Sequence, residues 1–336
     1  MIAGRVIVIG ASSGATPAIE ALLRGLGANL PAAVLLVRHV PPYSAGHLLN
    51  ALGRGSPLPV TLGTDAAPVE PGRVYVAPVD RHLLVDAAHM YLSRGLRENR
   101  ARPAIDPLFR SAALSYGAHA VGVVLSGRLD DGSAGLLALK QSGAITVVQD
   151  PADARCAEMP CSAMHHADAD YCLPAAEIGP LLSQLVRAHP PETTVTPPRR
   201  LMVQWRKEID ALRRHGSDIS TVETLGELAP ASCPECGGPL WQLSGGVHRF
   251  RCHTGHAFTA QHLAAGLGEA AEEALWAALR ALEERARMLR RIADHDAANG
   301  IGFSMQTYHE RAAEAERHVA SLRLLLLSGL PANGGR

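Results

Sequence analysis

The amino-acid sequence predicts an α/β protein whose larger part is a doubly wound, mostly parallel sheet, followed by a smaller cysteine-bearing and helical domain. Three observations predict it. Unbroken aliphatic runs alternate with helical stretches through the first half, the pattern of strands buried on both faces. A proline-rich stretch without apolar periodicity, AHPPETTVTPPRR at 188–200, reads as a semi-extended linker. Beyond it, cysteines pair over 233–256 and two long helical runs follow. With 336 residues the chain exceeds one ordinary core. Domains are therefore expected at 1–187 and 201–330, joined by the linker.

The elements follow in order. Residues 5–9 (RVIVI) read as a strand, 17–24 as a helix, 33–37 as a strand, 45–52 as a helix and 74–77 as a strand. Residues 83–85 and 90–92 suit a hairpin pair. Then come a helix at 106–116, a strand at 120–125, a helix at 133–141 and a strand at 145–148. Past the linker, 201–214 reads as a helix. In the long runs, Leu275, Leu279, Leu282, Ala286 and Leu289 form one stripe, and Tyr308, Ala312, Ala315, Val319 and Leu322 form another. Such stripes close as an antiparallel hairpin around Asn299 and Gly300, or serve a partner or a second copy of the chain.

Composition narrows the function. Lys plus Arg equals Asp plus Glu at 32 each, so bulk electrostatics draws neither nucleic acid nor a membrane surface. No apolar run approaches the roughly 18 residues of a membrane span, and no cleavable leader pattern opens the chain. A soluble, cytoplasmic protein is the expectation. Cys156, Cys161 and Cys172 form an odd set for a disulfide framework and read as reduced thiols.

Gly10-Ala11-Ser12-Ser13-Gly14 follows an apolar strand and precedes a helix, the context of a G-x-S-x-G nucleophile. Small neighbours let the turn tighten, the serine oxygen emerges at the carboxyl edge of the sheet, and helix-start amides face developing negative charge. The competing reading is a dinucleotide-binding loop, with Arg38 facing the 2′-phosphate of NADP. No Gly-Lys-Ser/Thr occurs, which excludes a P-loop.

A serine nucleophile needs a base and a carboxylate to orient it. His39 sits directly after the strand AVLLV, and Asp130 and Asp131 lie after VGVVLSG and before a helix. All three project from carboxyl ends of strands, where loops converge over one edge. His82 is the competing base, and the local pattern leaves Asp130 and Asp131 both open.

These residues carry a resemblance. Residues 6–186 resemble the catalytic domain of the chemotaxis protein-glutamate methylesterases, the CheB family. The matching stretches are IGASSGA (9–15), RHVPP (38–42), EPGRVYVAPVDRHL (70–83), RPAIDPLF (102–109), VGVVLSGRLDDGSAG (121–135) and the Met159-Pro160 pair near QDP, in the family's order and with similar spacing. The resemblance implies Ser12 as nucleophile, His39 as base and Asp131 as the orienting carboxylate. Backbone amides near Ser12 and in the loop 127–131 are expected to hold the oxyanion. The implied reaction is hydrolysis of glutamate γ-methyl esters on chemoreceptor-like proteins, with glutamine deamidation by the same acyl chemistry and no catalytic cofactor. Two positions depart from the family pattern: Leu129 and Ala15 stand where it has glycine. They raise the alternative of a degenerate esterase kept as a signalling scaffold. The sequence opens at the first strand, so a stand-alone form without a receiver domain is the expectation.

Cys233-Pro-Glu-Cys236 and Cys252-His-Thr-Gly-His256 bracket LWQLSGGVHRFR, which reads as two strands around a Gly-Gly turn. Four thiolate and imidazole donors suit tetrahedral zinc, and a full protein donor set marks a structural site. Cys233, Cys236, Cys252 and His256 are the expected ligands. His253, adjacent to Cys252, is the competing fourth.

Overall fold

The computed structural model describes residues 4–39, 45–86, 88–188, 195–214, 219–300 and 302–328. The chain begins β1 (Arg5–Ala11), α1 (Thr16–Arg24), β2 (Ala32–Arg38), α2 (Ala45–Gly53), β3 (Val60–Leu62), β4 (Val74–Val76), β5 (His82–Asp86) and β6 (His89–Ser93). It continues with α3 (Ile105–Tyr116), β7 (Ala120–Val124), α4 (Ser133–Gln141), β8 (Ile145–Gln149), α5 (Glu158–Ala167), β9 (Tyr171–Leu173) and α6 (Ala175–Leu185). Seven strands form one sheet in the order β3-β4-β2-β1-β7-β8-β9, every pairing parallel.

Strand alternation divides β1 between two cores. Val6 and Val8 pack with Leu108 and Phe109 of α3 and Leu136 and Leu139 of α4. Ile7 and Ile9 pack with Ile19, Leu22 and Leu23 of α1 and Ile178 and Leu182 of α6. Covering both faces is what makes the strands uniformly apolar. β5 and β6 pair antiparallel as a separate hairpin. The edge strands β3 and β9 and the helices α5 and α6 go beyond the sequence-based expectation. The two strands are only three residues each and mostly exposed, and α6 carries Pro180 inside it.

The chain divides into the compact units Met1–Leu263 and Ala264–Arg336, not at the proline-rich segment, of which 189–194 lie outside the described residues. α7 (Arg199–Arg213) explains the difference. Its Leu201 and Trp205 join the core beneath α3 and α4, and its Ile209 and Leu212 pack on Leu84. After α8 (Ile219–Glu223) come β10 (Gly226–Ser232), β11 (Pro239–Leu243), β12 (Arg249–Cys252) and β13 (Ala257–Thr259), antiparallel in that order. Two strands were expected; β10 and β13 complete a four-stranded ribbon.

A buried ionic cluster ties this ribbon to the first sheet. Glu98 accepts from Arg110 of α3 at 2.5 Å and from Arg251 of β12 at 2.6 Å. Glu208 of α7 accepts both Arg249 Nη groups at 2.7 and 2.9 Å. Burial opposes ionisation of both glutamates, yet the arginines hold them below the usual carboxylate range.

α9 (Ala260–Ala298) and α10 (Gly302–Leu327) end the described chain. Within the unit Ala264–Arg336, Leu279, Ala286 and Ala293 are buried on α9, and Ala312 and Ala315 on α10. The stripes thus fall at the expected spacing. Gly300 has φ +75°, which suits the turn between the helices. No helix among the described residues is long and apolar enough to cross a membrane.

Candidate active site

β2, β1 and β7 are adjacent and parallel, so their carboxyl ends open side by side on one edge. Ser12 follows β1, His39 follows β2, and Asp131 lies in the loop between β7 and α4. His39 Nδ1 lies 3.1 Å from Ser12 Oγ, and His39 Nε2 lies 2.8 Å from Asp131 Oδ2. A carboxylate on Nε2 keeps the proton there and leaves Nδ1 free to accept from the hydroxyl. The His39 amide donates to Ala11 O at 3.1 Å, fixing this residue beside the end of β1.

The serine loop is tight for a specific reason. A Cβ at Gly127 would lie 2.0 Å from Met159 Sδ and 2.8 Å from Ser12 Cβ, so only glycine lets the β7 loop close over the serine. The left-handed step of the elbow falls on Gly14, at φ +73°, and Ser12 is not among the positive-φ residues.

Asp131 is fully buried and richly supplied with donors. Asn99 Nδ2 donates to Oδ1 and the Ile105 amide to Oδ2, each at 2.8 Å, while the Asp106 amide reaches Oδ1 at 3.3 Å. Ile105 and Asp106 open α3, so the carboxylate also sits at a helix N-terminus that favours negative charge. Burial, the largest single influence, raises its pKa. The hydrogen bond and charge of His39, the charge of His262 and the Ile105 amide outweigh it and hold Asp131 below the usual carboxylate range. Asp106 beside it moves the other way, to about 7, through burial and then the charge of Asp131.

Asp130 turns elsewhere. Its Oδ1 lies 2.5 Å from Thr259 Oγ1 and 2.8 Å from His262 Nδ1. His82, the competing base, is fully buried. Its Nδ1 accepts from the Ala104 amide at 3.2 Å and its Nε2 donates to Leu96 O at 3.0 Å. Burial lowers it to about 4, so it is a neutral core histidine.

Of the two departures from glycine, Ala15 has φ −80° and fits without strain. Leu129 has φ +59°, a left-handed conformation costly for its side chain. The amides of Ser12, Gly127 and Leu129 already donate, to Ser126 O, Cys156 O and Glu158 Oε2. Ser13, Gly14 and Arg128 keep amides without a hydrogen bond among the described residues.

The cleft over Ser12 and His39 has a volume of about 900 Å³ and is lined by Arg38, Arg97, Arg100, Arg102 and Arg128, with Asp80, Leu129 and His262. Arg102 is paired to Asp80 through Nε and Nη2 at 2.9 and 2.6 Å. Asn99, Thr259 and His262 escaped the sequence reading. Their partners lie far away in sequence, and no local spacing marks them.

In the ribbon, the donor atoms of Cys233, Cys236, Cys252 and His256 all lie within 4.8 Å of one another, a set that could hold a metal ion. Cys233 Sγ is 3.8 Å from His256 Nδ1, Cys236 Sγ is 3.8 Å from Cys252 Sγ, and Cys252 Sγ is 3.5 Å from His256 Nδ1. Two sulfurs each about 2.3 Å from a tetrahedral ion would stand roughly 3.8 Å apart. Interaction between the two thiols favours the thiolate of Cys252 and disfavours that of Cys233. His253 is outside the set, its Nδ1 buried without a partner and its ring against Gly238.

A family model described as CheB methylesterase matches residues 7–182. The chain is 39% identical over 187 residues to protein-glutamate methylesterase/protein-glutamine glutaminase 5 of Anaeromyxobacter dehalogenans, covering 54% of this chain and 51% of that protein. It is 38% identical over 177 residues to enzyme 2 of the same name from Rhizobium johnstonii, covering 52% and 48%. The chain thus spans about half the length of these curated relatives. The crystal structure of the Thermotoga maritima CheB methylesterase catalytic domain aligns with a TM-score of 0.53 and 33% identity, over 55% of this chain and 99% of that one. With its parallel sheet, its serine loop and a family match across residues 7–182, the chain belongs to the CheB methylesterase family.

Proposed function

We propose that this chain hydrolyses γ-methyl esters of glutamate residues in proteins, and deamidates selected glutamines by the same acyl chemistry. Ser12 is the nucleophile, His39 the general base and Asp131 the carboxylate that orients it. The observation that carries the reading is the continuous relay from Ser12 Oγ through His39 to Asp131, at 3.1 and 2.8 Å.

His39 Nδ1 takes the hydroxyl proton as Ser12 Oγ attacks the ester carbonyl. Asp131 stabilises the imidazolium that forms. The oxyanion is held by amides drawn from Ser13, Gly14 and Arg128, which are unengaged among the described residues. His39 then gives its proton to the departing methoxide, releasing methanol and leaving an acyl-serine. Water, deprotonated by His39, attacks that ester, and the proton returns to Ser12 as the free glutamate leaves. For glutamine the leaving group is ammonia. These steps need no cofactor.

The substrate is a methylated chemoreceptor or a related signalling protein, and the arginines lining the cleft suit an acid-rich segment around the scissile glutamate. The Cys233, Cys236, Cys252 and His256 set holds a structural zinc ion, since thiolate and imidazole donors in a closed tetrahedron favour it.

A serine-directed phosphonylating probe tests the reading. One adduct should form on the purified chain and map to Ser12. No adduct, or an adduct on another residue, would contradict it.

A further inference from the structure

The catalytic carboxylate is braced from the ribbon. Asn99 Nδ2 donates to Asp131 Oδ1 at 2.8 Å, and Asn99 Oδ1 accepts the Thr259 amide at 2.9 Å. The orientation of that side-chain amide is therefore set from both ends. The Asn99 backbone amide donates to Ala257 O at 2.8 Å, and the Ala257 amide to Arg97 O at 3.2 Å. Thr259 Oγ1 donates to Asp130, the neighbour of Asp131 in the same loop, and accepts from His262 Nδ1 at 3.0 Å. Thr259 is almost fully buried. β13 thus touches both loops that carry the catalytic aspartate and its amide partner.

β13 is held by its pairing with β12, which the ionic cluster anchors, and the donor set lies immediately before it. His256, one of the four clustered donors, is covalently joined to Ala257, the first residue of β13. The ribbon's own apolar cluster is Ala229, Cys233, Leu240, Cys252, Phe258 and Leu263, so two of its six members are also metal-set donors. With donors built into that cluster, a bound metal adds to the order of the segment. A base held in the wrong orientation loses most of its value.

We propose that Thr259 is a positioning residue of the esterase site, and that metal in the Cys233–Cys236–Cys252–His256 set, by fixing β13, controls the reactivity of Ser12. The inference rests on the assignments of nucleophile and metal site made above. The ribbon then acts as a built-in activator, since a chain without its metal keeps the reacting groups but loses the brace on Asp131 through Asn99.

The test follows the rate at which a fluorophosphonate labels Ser12 in the full chain, so no substrate need be identified. Stripping the metal with a chelator should slow labelling by about tenfold or more while the circular dichroism of the α/β sheet persists, and added zinc should restore it. Thr259→Val keeps the backbone amide on Asn99 and removes only the hydroxyl that holds Asp130 in the Asp131 loop. It should retain its metal and slow labelling by about fivefold, Thr259→Ser should label at nearly the wild-type rate, and on the methyl-ester substrate the Val variant should lower kcat with little change in KM. Wild-type labelling rates in both the stripped protein and Thr259→Val would overturn the inference and leave Ser12 as nucleophile intact. A loaded wild-type chain that does not label at Ser12 would instead remove the hydrolase reading beneath it.

Discussion

Asp130 and Asp131 are neighbours in the chain, yet each serves a different histidine. Asp131 Oδ2 lies 2.8 Å from His39 Nε2, and Asp130 Oδ1 lies 2.8 Å from His262 Nδ1. One loop therefore faces His39 and Ser12 with one carboxylate and the ribbon with the other. The pair should separate cleanly in mutagenesis. Asp131→Asn should lower turnover by on the order of 10³–10⁴, because the base loses its tautomer and the partner of its charged form. Asp130→Asn keeps an oxygen acceptor for Thr259 and should cost no more than about tenfold. Steady-state methanol release measures both, and equal losses would refute the division of labour.

The metal set makes a prediction of its own. Purified chain should carry about one equivalent of zinc. Cys233→Ser should lose it and His253→Ala should keep it, because His253 stands outside the donor cluster. Elemental analysis of the two variants decides between His256 and His253 as fourth ligand.

Glu208 is fully buried among Arg249, Arg251 and Arg110. Glu208→Ala leaves those cations without a counter-charge and should destabilise the fold by about 3–5 kcal/mol in urea unfolding. A loss below 1 kcal/mol would mean that the cluster is not holding α7 and β12 to α3.

His82 gives a pH signature. Its folded value is about 4 against an ordinary 6.5, set by burial. The unfolded chain therefore takes up the proton first as pH falls. The contribution is complete above about 6.5, is lost progressively toward 4, and amounts to about 3 kcal/mol. Asp106, raised to about 7, works in the opposite sense over an overlapping window, stabilising as pH falls. The wild-type curve alone hides both. The difference between wild type and His82→Gln isolates the histidine, and that difference should shrink as pH drops from 7.5 to 5.

Leu129 occupies a left-handed backbone conformation at φ +59°. Leu129→Gly should relieve that strain, offset in part by glycine's greater unfolded entropy, for a net gain of up to about 1 kcal/mol. Leu129→Val, branched at Cβ, should destabilise. Thermal unfolding orders the three proteins.

The order and type of the central elements were legible because both faces of the sheet are buried. Runs such as Val6 to Ile9 read as a fully covered strand, and Ser12, His39 and the Asp130–Asp131 pair stood out by following such strands, while the choice of Asp131 within the pair came from the family resemblance. The edge strands were not legible, since three-residue, solvent-facing segments carry no period. Composition marks the proline-rich segment, whereas the packing of Trp205 and Leu212 back onto the first domain was not legible, because long-range packing leaves no local trace. Asn99, Thr259 and His262 were invisible for the same reason. Thr259 and Asp130 are 129 residues apart in sequence, and only the docking of the ribbon brings them together.

Methanol release from a glutamyl γ-methyl ester polypeptide, compared between the full chain and Ser12→Ala, tests the central claim most directly. The expected result is steady release by the wild type and a loss of about 10³-fold or more in the variant, with unchanged circular dichroism. Release that persists undiminished in Ser12→Ala would contradict the account.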